Sequence, residues 1–437
     1  MCNRLVAFAL LVLASATAHA AAPPPAASPA QVAPAPQLTS RTNEVIALLN
    51  GQGDYAATFS PSFRDAVTKD KFDAIAGQLK AQGGLASGIH SITPTTPWQA
   101  TVVIDYQHLI VTMRIVVDPA GAHQVTGLLI TGAEPGSDSV SALKSDFARL
   151  PGQAGFGVFA LSADGVRPVA AFNADTAAPI GSAFKLWVLA EAAREVGEGK
   201  RHWSDVIPVG PHSLPSGILQ TWPPNAPVTL QTAATLMISI SDNTAADTLL
   251  TTLGRDRVGS ILEAAGVASP ARTLPLLTTR EAFELKLPAN AALEQEWAAA
   301  SPDGRRQLLS TNSGRLAETA IDVGAFGDKP LGIDRVEWFA SPADMARTLN
   351  WLRLHGDATT RAILAVNPGM LPAAAGSFRY AGFKGGSETG VISLNYLVEN
   401  KAGEWFAVTG NWHDENAPVS ELTFVSLMNR ALLLAKS

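Results

Sequence analysis

The chain has 437 residues, with 32 Lys and Arg against 38 Asp and Glu, a formal charge of −6 and a single cysteine. A mildly acidic chain offers no basic surface to a nucleic acid, and one thiol excludes an internal disulfide. The eight histidines are scattered without ligand spacing, so neither a metal nor another cofactor is expected; a chain of this length is expected to form about two or three domains.

Arg4 precedes an apolar stretch, Leu5 to Ala14, and Ala18-His19-Ala20 then flanks one position with small residues. That is the pattern of a secretory signal, residues 1–20, cleaved after Ala20. The stretch is too short to span a bilayer, and no later run of about 18 apolar residues follows. The mature protein is therefore expected in the periplasm or outside the cell, without a stable membrane anchor, and Cys2 leaves with the signal. Residues 21–38, AAPPPAASPAQVAPAPQL, are low in complexity and read as a semi-extended tether.

From Thr39 the pattern changes. Apolar residues at helical spacing run to Gly84, broken by Gly and by Ser-Pro. Three runs rich in Val and Ile follow, separated by turn residues, so residues 39–135 read as helices followed by a strand meander. That order of elements resembles the cone-shaped, curved-sheet domains of the NTF2-like and cystatin-like kind. GAEPGSDSVSAL, at 132–143, marks a boundary, and a second domain is expected over 139–437. It opens with a helix and two strands, continues through a long helical middle, and ends in three strands and an amphipathic helix. Its sheet is thus expected to be assembled from both sequence ends, within a two-domain α+β chain.

Three short strings carry chemistry. In GSAFKLWVLAEAA, Ser182 stands where a helix begins, and the free amides and dipole of that end favour developing negative charge. Lys185 is one turn on. A serine hydroxyl is a poor nucleophile until a base takes its proton, and an amine desolvated in an apolar pocket can serve. In MISISDNTAADTLL, Ser241 is placed to relay a proton to a departing group and Asn243 to bind a substrate amide or carbonyl; Ser, Asp and Asn are equally the favoured helix caps. In YAGFKGGSETG, Lys384 closes a β-run, positioned to hold a carboxylate. Gly385 and Gly386 let a ligand approach the backbone, and the Ser387 amide can join that of Ser182 as an oxyanion hole. A hairpin turn with an exposed lysine accounts for the same string.

S-x-x-K, S-D-N and K-T-G, in this order and these contexts, are the set of class A β-lactamases and penicillin-binding proteins. Residues 139–437 resemble that serine β-lactamase and DD-peptidase superfamily, closest to class A, with SPADMARTLNWL at 341–352 similar to a class A helix. The resemblance implies Ser182 as nucleophile, Lys185 as its base, Ser241 as proton shuttle and Lys384 as electrostatic anchor. It further implies Phe383 lining the pocket and Trp222, in the loop 213–224, walling the cleft. The two-domain layout, F-K-G-G-S-E and PLLTTREAFELK are similar to the branch of β-lactamase-like serine hydrolases from clavulanic acid clusters.

Two departures stand out. Gly385 replaces the threonine of K-T-G, and no glutamate lies in the E-x-x-L-N context from which class A enzymes activate the deacylating water. Glu281, Glu284, Glu294, Glu296, Glu318 and Glu337 crowd the corresponding region and read mostly as solvated helix-face charges. The resemblance therefore implies an acyl-enzyme at Ser182 with slow β-lactam deacylation and a small ester or β-lactam-like substrate. A true β-lactamase, a cell-wall DD-peptidase and a non-catalytic binder remain open, as does oligomeric state.

Overall fold

The first helix, α1 (Pro36–Leu49), starts inside the expected tether. Pro36 suits a first helical turn, where its missing N–H is not needed. Leu38 is fully buried, so the tether ends three residues earlier than expected, because an apolar side chain there has a core to enter. The protein is described by a computed structural model covering residues 33–135, 139–318, 324, 326–327, 329–370 and 372–436. The expected signal and most of the tether lie outside the described residues.

Helix α2 (Lys69–Gly83) is capped by Thr68 and buries Phe72, Ala76, Leu79 and Gly83 along one face. Four antiparallel strands follow in meander order: β1 (Ala86–Thr96), β2 (Gln99–Tyr106), β3 (Leu109–Val117) and β4 (Val125–Pro135). Three Val/Ile runs were expected. The fourth strand, β1, is an irregular edge that carries Pro94 and several register shifts, so its sequence, ASGIHSITPTT, shows no clean alternation. Leu38, Val45, Phe59, Val102, Ile104, Val111, Met113, Ile115 and Val125 form the core between helices and sheet.

The second unit opens with α3 (Val140–Ala148), β5 (Gln153–Ser162) and β6 (Gly165–Phe172). It closes with β7 (Tyr380–Glu388), β8 (Val391–Glu399), β9 (Trp405–His413) and α9 (Glu421–Leu433). The sheet order β7-β8-β9-β5-β6 joins both sequence ends, as expected. β8 and β9 are buried nearly throughout because both sheet faces are covered. On one face lie α3 and α9, with Phe147, Phe156, Phe424 and Met428 between. The other face carries the helical region, within which α4 (Lys185–Gly197) has Leu186, Trp187, Val188 and Leu189 fully enclosed. Each of those four side chains contributes about 1.5–3 kcal/mol by its burial, so α4 is firmly anchored. Around it pack α5 (Leu230–Ser239), α6 (Asn243–Leu253), with α7 (Thr279–Lys286) against α6, and α8 (Pro342–His355), the helix that lies on the sheet. The two units touch where Ser426 donates to the Gln82 carbonyl at 2.8 Å. Among the described residues no helix is long and apolar enough to cross a membrane.

Candidate active site

One tight turn, Gly181–Phe184, leads into α4 and presents Ser182 at its start. Gly181 takes φ 49° to make that turn, and Phe184 stacks on Trp338 at 4.0 Å to hold it. Lys185 follows and is fully buried. Its Nζ donates to the Ser241 carbonyl at 2.7 Å, to Ser241 Oγ at 3.1 Å and to Asn243 Oδ1 at 2.7 Å. Burial first, and then the neighbouring Lys384 charge, hold this amine well below the ordinary lysine range against the pull of Asp247 and Asp242.

The loop between α5 and α6 places the second string. Ser241 sits in the left-handed region at φ 58°, a costly conformation for a residue with a Cβ. Asp242 keeps it there. One carboxylate oxygen caps α6 at the Ala245 amide, 2.8 Å, and the other accepts from the Ile218 and Leu219 amides at 2.7 and 2.9 Å. Asn243 Nδ2 donates to the Leu214 carbonyl at 3.0 Å. Both ends of the Asn243 amide are thus held by the protein, although its residue lines a chamber beside Ser182.

Lys384 lies within the edge strand β7, four residues before its end, and is 3% exposed. The exposed hairpin lysine is excluded, and so is a lysine that closes the β-run. Its Nζ donates to Ser241 Oγ at 3.0 Å and to the Gly385 carbonyl; burial lowers the amine to about 7. Ser241 Oγ is therefore shared by two buried amines. Gly386 borders the cavity, but its missing side chain serves the fold: a Cβ there would fall 2.1 Å from the Ile180 carbonyl oxygen and 2.6 Å from the Ser182 nitrogen. A Cβ on Gly181 would approach the Ser387 nitrogen at 3.2 Å, so this contact brings the stretches bearing the Ser182 and Ser387 amides side by side. A Cβ on Gly385 would meet the Phe383 ring at 2.9 Å. Phe383 packs on Tyr396 at 4.7 Å and over Gly369, beside the cavity.

Two chambers meet at Ser182. The larger, about 380 Å³, is lined by Ser182, Ser241, Phe383, Lys384, Ser387 and Leu394 among others. The smaller, about 110 Å³, takes in Ser182, Asn243, Lys286, Glu337, Ser387 and Glu388. Trp222 lines neither; it is 36% exposed. Asp242 pins the loop at Ile218 and Leu219, and only its nearer part, Pro215 and Ser216, borders the cleft. A roomier cavity of about 530 Å³ lies elsewhere, against Arg255 and Arg306, but Glu281 and Asp256 pair those charges and no motif residue reaches it.

The sequence model of the beta-lactamase enzyme family matches residues 139–357, half of the chain. The chain belongs to that family. Its C-terminal part has the class A β-lactamase-like α/β fold, and the family is one of serine hydrolases. Similar solved structures include a β-lactamase from Sphaerobacter thermophilus, at 19% identity and TM-score 0.46, covering 67% of this chain and 95% of that one. PBP-A shares 19% identity at TM-score 0.44 over 67% and 95%. An ancestral class A β-lactamase shares 18% at TM-score 0.46 over 67% and 98%. No protein of curated function matches the chain.

In this β-lactamase-family site, sequence reasoning missed the charged cluster of the smaller chamber. Lys286, only 2% exposed, donates to Glu337 at 2.9 Å and to Glu388 at 2.6 Å. Glu337 also accepts from the Gly181 and Trp338 amides at 3.2 and 3.0 Å. Among the glutamates read as solvated, Glu284, Glu294 and Glu337 are instead buried, paired with Arg280, Arg335 and Lys286. Asp247 was missed too: buried within α6, it accepts from Ser213 Oγ and from the Thr279 and Arg280 amides, binding α7 to the site. Among the described residues no group of three or more His, Cys, Asp or Glu could hold a metal.

Proposed function

We propose that the protein is an exported serine hydrolase that forms an acyl-enzyme at Ser182 and acts on a small ester or a β-lactam-like amide. The observation that carries this reading is the sharing of Ser241 Oγ by Lys185 and Lys384, in the cavity that Ser182 lines. Neutral Lys185 takes the Ser182 proton as Oγ attacks the carbonyl carbon. The oxyanion forms between the Ser182 and Ser387 amides, where one donor is worth about 10²–10³ in rate. The proton passes through Ser241 to the leaving alkoxide or amine. Lys384 draws a substrate carboxylate, alone, since Gly385 brings no hydroxyl. The cavity of about 380 Å³ suits a small ligand.

Export rests on the signal pattern of residues 1–20. The N-terminal helices and four-stranded sheet support reading 39–135 as an NTF2-like domain, in the manner of the clavulanic acid cluster proteins. The test of function is intact mass after exposure to a fluorescent penicillin and a fluorophosphonate. Wild type gains one adduct and Ser182→Ala gains none; a folded wild type that stays unlabelled ends the proposal.

A further inference from the structure

We propose that the acyl-enzyme is opened by a water held in the smaller chamber, with Glu388 as the general base that takes the water's proton. This rests on Ser182 being the acyl acceptor. The two chambers divide the work by size. At about 30 Å³ per water, a chamber of about 110 Å³ holds a few waters and no substrate, whereas the 380 Å³ cavity holds the acyl group. Both are lined by Ser182 and Ser387, so an acyl carbon on Oγ faces substrate space on one side and water space on the other.

Three ionisable groups of the smaller chamber lie against one another: Lys286 from α7, Glu337, and Glu388 at the end of β7. Glu337 is committed, with its oxygens taking the Gly181 and Trp338 amides and Lys286. Glu388 meets Lys286 and, through a side-chain hydrogen bond, Glu337. Its side chain is 16% exposed, one oxygen takes Lys286, and it directly follows Ser387, the second oxyanion donor. One ammonium serves two carboxylates, so the cluster keeps a surplus negative charge with which to accept a proton. Burial, and then the adjoining Glu337, raise the Glu388 carboxyl well above the usual range, against the pull of Lys286. Lys286 and Glu337 are positioning residues.

In the step itself, the water oxygen bonds to the acyl carbon as one of its protons moves to Glu388. The carbonyl electron pair shifts onto the oxygen between the Ser182 and Ser387 amides. On collapse the C=O bond re-forms and the C–Oγ bond breaks. The proton on Glu388 returns through chamber water to Ser182 Oγ, leaving a free carboxylic acid and the original serine. The expectation of slow deacylation rested on the missing Ω-loop glutamate; Glu388 supplies a carboxylate from the strand instead.

The experiment follows the full chain with p-nitrophenyl acetate, reading the p-nitrophenol burst for acylation and intact mass for the adduct. Glu388→Gln should keep the burst rate within about threefold and slow deacylation by about 10² or more, so that the acetyl adduct accumulates. An adduct that decays at the wild-type rate overturns the assignment of Glu388 while leaving Ser182 in place. Absence of any adduct in both wild type and Glu388→Gln overturns both. If Glu388→Gln fails to fold, Glu388→Asp decides, since it keeps the charge opposite Lys286 but withdraws the carboxylate. A normal burst with slowed release supports the proposal, and unchanged release sinks it.

Discussion

Lys185 and Lys384 on one side of Ser182, and Lys286 on the other, are almost equally enclosed at 0%, 3% and 2% exposure. Their ionisation runs in opposite directions. Burial lowers Lys185 and Lys384, whose nearest partners are a hydroxyl, carbonyls and an amide. Burial also works against the charge of Lys286, but Glu337 and Glu388 outweigh it and hold that amine above its ordinary range. Depth alone therefore does not make a base. A buried amine becomes one only where no carboxylate bonds to it directly: Asp242 and Asp247 act on Lys185 without a hydrogen bond to its amine, whereas Glu337 and Glu388 bond to Lys286.

The largest expected effect is on chemistry. Lys185→Met should slow acylation by about 10²–10⁴, read as the rate of adduct formation by intact mass; a burst of wild-type rate would show that Lys185 is not the base. Next comes stability. Lys286→Met leaves the buried Glu337 and the partly buried Glu388 without a counter-ion and should cost about 3–5 kcal/mol, whereas Lys185→Met orphans uncharged acceptors at about 1–3 kcal/mol. Urea unfolding measures both, and the reverse order would break the comparison.

The third effect is a pH dependence with a defined sign. Lys384 is charged below about 7 and loses its charge as pH rises through that value. The advantage in kcat/KM of a carboxylate-bearing ester over its neutral counterpart should then shrink by up to about tenfold per pH unit above 7. Acylation of the neutral ester should fall only on acidification, because Lys185 must be unprotonated. Paired pH profiles check this; an advantage that grows with pH would remove Lys384 as the anchor. The smallest effects separate two glycines. Gly386→Ala meets backbone at 2.1 Å and should cost about 1–3 kcal/mol. Gly385→Ala meets the Phe383 ring edge at 2.9 Å, and the Leu394 side chain and Ser393 carbonyl only at 3.3 Å, and should cost less, by thermal unfolding.

Much of the catalytic side was legible because its chemistry is local. Ser182 and Lys185 share one helical turn, Ser241 to Asn243 one loop, and Phe383 to Ser387 one strand. Trp222 was misplaced because nothing in its own string shows that Asp242 turns the loop away. Strand β1 was missed because an irregular edge strand needs no alternation, and the start of α1 because an apolar residue in a proline-rich tract has no value until a core lies beside it.

From its residues alone the chain declared which groups could carry an acyl transfer, since helix starts, caps and glycine-spaced strands are decided by neighbours a few positions apart. The state of those groups was decided only in three dimensions. Lys286 meets Glu337 and Glu388 across 51 and 102 positions of sequence, and the exclusion of water that lowers Lys185 and Lys384 comes from elements brought together by folding. Charge and solvent act through space, so which lysine is a base and which is a cation was settled by packing.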